Sequence, residues 1–374
     1  MIPGSALLLA AELSAGPGTA EAIEARRTTV FLDFGGGRLE PGSGPGQASC
    51  VTSEFSYPMF LGSERAAAVA LQEARRLVEP YGVRVVSERP PAPLPFTHVR
   101  IGGAPGTLGL DPKLNGLSCE VDCDDHVHPD TVFVFADKWI THAAIDEVDE
   151  EQLALQLGRI AIHESGHAWG LEHTGGSESI MARFPSAAVP SFVEGCQELD
   201  LDDPPQCPES RARYCEPGEQ DAHAELLALF GDGEPDTQAP RVEILWPPDG
   251  WALAPGDRLA VELEVADDRP GFGWMLEVPE LDWRHESTEP GTHAIELVVP
   301  EGRFTLHLEA IDHDRNVGEA EVVIVASVTA GSEPAPEPRL EAQCACRQRA
   351  GSPGPWGAVA WSLLLGCRRA RRRG

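Results

Sequence analysis

The sequence predicts an α+β domain, a mixed twisted sheet with one long helix against it, followed by an all-β sandwich. Three observations carry that expectation. Between residues 28 and 231, strand-like and helix-like periods succeed one another. From Arg241 onward only short apolar–polar alternation remains, broken by turn residues. Near the end of the longest helical pattern, His163-Glu164-Ser165-Gly166-His167-Ala168-Trp169-Gly170-Leu171-Glu172-His173 sets three imidazoles and a carboxylate at fixed intervals.

In order along the chain, residues 29–34 form an apolar strand that stops at Gly35-Gly36-Gly37. Residues 63–78 have helical spacing, with Ser63 as N-cap and Glu64 in the first turn. Residues 83–86, 97–101 and 131–135 are strands rich in β-branched and aromatic side chains. Residues 149–169 form the long helix, with Leu153, Leu155, Leu157, Ile160 and Ile162 as its apolar positions. Residues 220–230 form a closing helix that ends at Gly231.

The histidine stretch has a chemical reading. His163 and His167 are four apart, so a helix projects them from one face, one turn above the other. Imidazoles so placed bind one zinc ion at about 2.0–2.1 Å per nitrogen. Glu164 can reach a water on that metal without being a ligand. Gly170 can take a left-handed conformation, end the helix and turn the chain so that His173 becomes the third ligand. Three protein nitrogens leave the fourth tetrahedral position open, as a catalytic site requires. The competing reading is three helix-surface or core histidines in accidental register.

This pattern resembles the metzincin signature, His-Glu-x-x-His-x-x-Gly-x-x-His followed by a methionine turn. Met181, in Ser179-Ile180-Met181-Ala182, stands where that methionine would be, and its spacing from His173 is similar to the matrixin branch. The resemblance covers residues 28–231 and implies a zincin fold and one catalytic Zn2+ held by His163, His167 and His173. It further implies Glu164 as catalytic base, Met181 beneath the imidazoles, and a pocket wall near Phe184 and Pro185. The matrixin pro-segment cysteine is not evident, and Cys50, in a Gly/Pro/Ser-rich loop, is not assigned that role. Matrixins also carry structural metals near the region matched here by Asp122, Asp124, Asp125, His126, His128 and Asp130. Structural Ca2+ is therefore a second expectation, set against an acidic turn held by a Cys119–Cys123 bond.

Composition narrows the function classes. The 374 residues carry a formal charge of −31, yet residues 344–374 hold seven arginines and no acid, leaving 22 basic against 60 acidic residues elsewhere. That surface excludes nucleic acid as the expected partner. Six of the nine cysteines (Cys50, Cys119, Cys123, Cys196, Cys207 and Cys215) precede residue 216, which predicts up to three disulfides and an oxidising compartment. Their connectivity is open among the fifteen possible, and a second zinc site from the same cysteines is the alternative.

Residues 232–240 are a Gly/Pro/Asp-rich linker. Over 241–328, strands at 242–246, 259–265, 273–278, 294–299, 304–311 and 319–325 predict an antiparallel sandwich. Its ending, Ala310-Ile311-Asp312-His313-Asp314-Arg315-Asn316-Val317-Gly318, resembles bacterial immunoglobulin-like domains. Asp312, Asp314 and Asn316 are read as a hydrogen-bonded turn, with calcium as the alternative. His285, His293, His307 and His313 are read as strand-surface residues. Residues 329–343 are a Pro/Glu spacer. The tail at 344–374 joins Cys344 and Cys346, an apolar stretch from 356 to 365 and an arginine cluster. It resembles the myxobacterial C-terminal sorting signal, which implies cutting near Cys344 or Cys346 by a sorting enzyme and attachment at the outer surface or membrane. A stop-transfer anchor is the alternative. Residues 1–27 include a short apolar run read as a partial signal segment.

The expectation from the whole chain is a secreted or surface-attached zinc metalloendopeptidase of Gram-negative type, acting on protein or peptide substrates. The competitor is a catalytically silent surface adhesin on a metzincin scaffold; the intact Glu164 speaks against it, because zinc retention alone does not need that carboxylate. A third reading is an enzyme that processes itself.

Overall fold

A computed structural model describes residues 24–42, 47–125, 130–137, 140, 149–183, 190–200 and 206–327. The sequence-based expectations for the signal segment, His126, His128, Phe184, Pro185, the spacer and Cys344 and Cys346 lie outside the described residues. Those that are described belong to one compact unit, Met1–Ser332, which holds two separate large apolar cores.

The first lobe runs β1 (Thr28–Asp33), β2 (Gly37–Pro41), β3 (Gln47–Ala48), β4 (Phe55–Tyr57), α1 (Glu64–Val78), β5 (Val83–Val86), β6 (Thr97–Gly102), β7 (Gly116–Ser118), β8 (Thr131–Phe135) and α2 (Glu150–Ala168). The main sheet has the order β5-β1-β6-β8-β7; every pair is parallel except β7 on β8. Strand alternation assigns its two faces. Val132 and Val134 of β8 join the core shared with α1 and α2, while Phe133 and Phe135 join a second cluster with Leu39 and Tyr57 beneath the small β3-β2-β4 sheet. α1 begins at Ser63, whose side chain accepts the Ala66 N–H. It presents Ala66, Ala70 and Ala74 to the core, so α2 can pack closely. At Gly158 of α2 the approach is closest: a Cβ there would stand 2.4 Å from the Ala70 carbonyl oxygen.

Beyond α2 come β9 (Gln197–Glu198), the one-turn α3 (Pro208–Arg211), β10 (Glu219–Gln220) and α4 (Ala222–Phe230), the last capped by Asp221. The closing helix thus starts two residues later than its apolar pattern suggests, because Gln220 pairs with Gln197 in the β10–β9 ladder. The six cysteines form Cys50–Cys119, Cys123–Cys207 and Cys196–Cys215. The expected Cys119–Cys123 bond is therefore corrected, and so is the exposed acidic turn. Asp125 and Asp130 are buried, and Arg26 and Arg213 pair with Asp125 and Asp124 at 3.3 and 3.1 Å.

The second lobe is all β. Strands β11 (Arg241–Trp246), β12 (Trp251–Leu253), β13 (Arg258–Ala266), β14 (Phe272–Val278), β15 (Trp283–Ser287), β16 (Gly291–Val298), β17 (Gly302–Asp312) and β18 (Val317–Ala326) form two sheets, β11-β13-β16 and β12-β18-β17-β14-β15. Leu259, Val261, Leu263 and Val265 from one sheet meet Trp274, Leu276, Leu306 and Leu308 from the other in a single core. The pairing is antiparallel except where β12 lies parallel to β18. β12 and β15 were not among the expected strands: one is too short to show alternation, and the other is mostly polar.

The lobes are joined by specific contacts. His313, expected on a strand surface, is instead buried at the junction, where its Nδ1 lies 2.8 Å from Thr29 Oγ1. Arg84 donates to the His313 carbonyl, and Arg27 pairs with Asp314 at 3.0 Å. Asp312 accepts two hydrogen bonds from Asn316, so the 312–316 segment is the hydrogen-bonded turn its sequence suggests.

Candidate active site

α2 is capped by Asp149, whose side chain accepts the Glu151 N–H, and carries Glu150 and Glu151 in its first turn, where the helix dipole favours them. Its far end is a Schellman motif: Leu171 N–H donates to Gly166 O and Gly170 N–H to His167 O, with Gly170 at φ +92°. A Cβ at Gly170 would meet the Asp122 carbonyl oxygen at 3.1 Å as well as demanding a strained backbone. The glycine therefore performs the expected turn, and the chain doubles back to place His173 opposite the helix.

The three imidazoles converge. Nε2 of His163 lies 3.1 Å from Nε2 of His167 and 3.2 Å from Nε2 of His173, and the remaining pair is also 3.2 Å apart. His163 Nδ1 is held by the Ile180 carbonyl at 2.6 Å, and His167 Nδ1 by the Leu171 carbonyl at 2.8 Å. A carbonyl accepts only, so each of these Nδ1 atoms carries the proton and each Nε2 presents a lone pair. Burial, with His167 alongside, lowers the pKa of His163 to about 3, which keeps that ring neutral. Lone pairs this close repel unless a cation lies between them. Bond lengths of 2.0–2.1 Å and nitrogens at this spacing subtend about 100° at a metal, which suits a tetrahedral ion with one position open. The residues fit zinc.

Glu164 shares the buried face of α2 with Leu157, Ala161 and Ala168, and its side chain packs against Gly116 at the sheet edge. It is buried, and its carboxylate accepts the Ser118 N–H of edge strand β7. Burial raises its pKa to about 8, against the smaller lowering by that hydrogen bond. A cation at the histidines acts in the opposite direction and favours the carboxylate. Room for the side chain comes from Gly116, where a Cβ would sit 2.5 Å from Glu164 Cγ and 2.6 Å from Oε1.

Met181 is fully buried behind the helix turn that bears the histidines. A Cβ on Gly166 would lie 2.7 Å from its sulfur, so the glycine between the two helical ligands lets the methionine approach. The turn is set by Ser179, whose Oγ accepts the Met181 N–H, and by Thr174, whose N–H donates to Met181 O. Ile180 is thereby positioned to hold His163.

Sequence reasoning missed the residues that fix the His173 loop. Buried Arg211 pairs with Glu172 at 2.7 Å, donates to Gly170 O at 3.0 Å and donates from Nε to Gln220 Oε1 at 3.0 Å. Gln220 closes the set, accepting the Glu172 N–H and donating to the Glu172 carbonyl. Asp200 N–H donates to the His173 carbonyl, and Asp200 is itself paired with Arg183 at 2.9 Å. Arg211, Gln220 and Asp200 thus brace the loop that carries His173. A glycine inside a strand, a mark of close approach, was the signal available for Gly116.

No curated protein matches the chain. Among solved structures, fibronectin(III)-like modules of CbhA from Clostridium thermocellum are 19% identical, with a TM-score of 0.21, over 24% of this chain and 99% of theirs. A conjugative transposon lipoprotein from Bacteroides eggerthii is 11% identical, with a TM-score of 0.19, over 24% of this chain and 98% of its own. A mutant β-glucosidase from Listeria innocua is 11% identical over 82% of this chain and 47% of its own, with a TM-score of 0.21. At such TM-scores these likenesses carry no argument. Residues 109–203, which hold β7, α2, the three converging histidines and the Met181 turn, match the matrixin model of the M10 peptidases, and this part of the chain is matrixin-like at family level.

Proposed function

We propose that this chain is an exported zinc-dependent metalloendopeptidase, in which His163, His167 and His173 hold one zinc ion and Glu164 is the general base. The observation that carries the reading is the convergence of three Nε2 atoms to 3.1–3.2 Å beside a buried carboxylate. Zinc at that position supplies Lewis acidity, polarising a peptide carbonyl and lowering the pKa of water. Glu164 takes the proton from the attacking water and returns it to the leaving amine. Ser118 N–H orients that carboxylate, and Gly116 leaves it space. β7 is the edge of the main sheet, so its backbone offers an extended peptide a strand to pair with, directly above Glu164. The three disulfides suit an oxidising compartment. The all-β lobe is proposed to be immunoglobulin-like and to act in spacing or adhesion, with the tail attaching the protein to the cell surface.

The test is cleavage of a diverse peptide library by the purified chain beside Glu164→Ala. Cuts made by the wild type, lost in the variant and lost with a zinc chelator, are expected. A folded, zinc-loaded wild type that cuts nothing would favour the silent adhesin, and full activity in Glu164→Ala would overturn the role of the carboxylate.

A further inference from the structure

At the junction of the lobes, away from the histidines, three segments bring aspartates together. The linker supplies Asp236, the β13–β14 turn Asp267 and Asp268, the end of β17 Asp312, and the β17–β18 turn Asp314. One carboxylate oxygen from each of Asp236, Asp267 and Asp268 lies within 4.8 Å of the other two.

Two of these carboxylates carry a buried oxygen that receives no hydrogen bond. Asp236 is only 7% exposed, and while its Oδ1 accepts the Gln238 N–H, its buried Oδ2 receives no hydrogen bond. The cation beside it, Arg269 Nε, stands 3.6 Å from that oxygen, beyond hydrogen-bond reach, on a side chain that is 37% exposed. Asp267 repeats the pattern, with Oδ1 accepting the Asp268 N–H and a buried Oδ2 that receives no hydrogen bond. Burial, with the charges of Asp312 and Asp236 nearby, pushes Asp267 up to about 7.

The surroundings hold these groups in place, with Arg269 as the ion-pair partner of Asp236. Asp236 N–H donates to Asp314 Oδ2 at 2.8 Å, and Asn316 Nδ2 donates both to Asp236 O and to Asp312 Oδ2. Gln238 Nε2 donates to Asp268 Oδ2 at 2.7 Å, folding the linker over the turn. Arg27 is engaged by Asp314 and by the Glu234 carbonyl. Buried carboxylate oxygens without donors are costly unless a cation or a proton joins them. An all-oxygen, all-carboxylate set suits a hard cation. Calcium–oxygen bonds of about 2.3–2.6 Å allow ligand oxygens up to about 5 Å apart, which accommodates the spacing seen here.

We propose that Asp236, Asp267 and Asp268 bind one calcium ion, which fastens the linker to the β13–β14 turn at the junction of the lobes. The site is independent of the peptidase reading. It makes the rigidity of the junction depend on extracellular calcium, while the histidine centre takes a different metal.

The test is calorimetric titration of calcium chloride into the full-length chain, freed of calcium on a chelating resin and re-saturated with zinc, alongside melting curves with and without calcium. A single binding event and a raised melting midpoint are expected. Asp267→Asn should abolish both. Asp268→Asn, at an exposed position where the amide oxygen can still accept from Gln238 Nε2, should weaken binding at least tenfold. Absence of heat and of any melting shift up to about 10 mM calcium would overturn the proposal. Binding of unchanged affinity in the folded Asp267→Asn and Asp268→Asn chains would do the same, because it would place calcium elsewhere.

Discussion

Arg211 and Glu172 form a buried ion pair immediately behind the third histidine, with Nη2 at 2.7 Å from the carboxylate and both side chains almost wholly enclosed. The same guanidinium holds Gly170 O, so one residue fixes both ends of the turn between His167 and His173. Removing one partner of a buried pair typically costs about 3–5 kcal/mol. Arg211→Met, which keeps the volume but not the charge, should therefore lose about 3 kcal/mol in urea unfolding. Zinc should pass to a chromophoric chelator roughly tenfold faster, the lower end of what outer partners of metal ligands contribute. Unchanged release would mean that the Schellman turn alone sets His173.

Gly116 tests the position of Glu164 without touching its chemistry. In Gly116→Ala the new methyl would begin 2.5 Å from Glu164 Cγ, and the flexible side chain is the part free to yield. The carboxylate should then leave its place beside Ser118. We expect zinc content and melting temperature close to wild type but peptide turnover lower by at least about tenfold, the scale on which misplacing a catalytic group acts. Steady-state kinetics with metal analysis decides it: undiminished turnover would show that the productive carboxylate does not need this cradle.

The contrast between these two sites shows what the sequence can encode. His163, Glu164 and His167 were legible because a helix converts spacing directly into geometry, and Gly170 announced the turn to His173 through its backbone freedom. Met181 was legible only through the resemblance to the metzincin methionine turn. Arg211 and Gln220 were not, because they act on residues 41 and 48 positions away and share no period with them. Likewise His313 sits in a strand-like stretch, and only the docking of Thr29 onto it makes it buried. The long elements emerged from their periodicity to within three residues, whereas β7 and β12 have three residues each, too few to alternate. Cysteine pairing had no local signal at all.

Cys123–Cys207 closes a separation of 84 residues and ties the loop beneath Gly170 to the segment bearing Arg211, whereas Cys196–Cys215 spans only 19. The chain-entropy argument gives the longer closure about 4.6 kcal/mol and the shorter about 3.2. Replacing Cys123 and Cys207 together by serine should therefore cost more stability than replacing Cys196 and Cys215. It should also hasten zinc loss, since a Cβ at Gly170 would already touch Cys123 and Cys207 atoms at 3.2 and 3.3 Å. Equal stability and equal zinc retention in the two double variants, read by urea unfolding and chelator competition, would contradict this.

Glu73 links the two helices of the first lobe, accepting from Arg76 Nε at 2.8 Å within α1 and from Arg159 Nε at 2.8 Å on α2. Burial alone would raise its pKa, but the hydrogen bonds and charges of Arg76 and Arg159 outweigh it and hold the carboxyl below its ordinary 4.5. A folded value below the unfolded one means that the contribution to stability is complete above the unfolded pKa. It is lost as pH falls through the folded value. Charge-assisted hydrogen bonds of this kind contribute about 1.5–3 kcal/mol. Glu73→Gln should consequently lower unfolding free energy by about 2–3 kcal/mol at pH 7. The gap should persist through pH 6 and shrink only below about pH 4.5, where the wild-type carboxyl takes up its own proton. Denaturant unfolding of both proteins across that range is the measurement. A gap that stays constant into acid would mean that glutamine disturbs packing at the α1–α2 contact, and that the charge of Glu73 contributes nothing of its own.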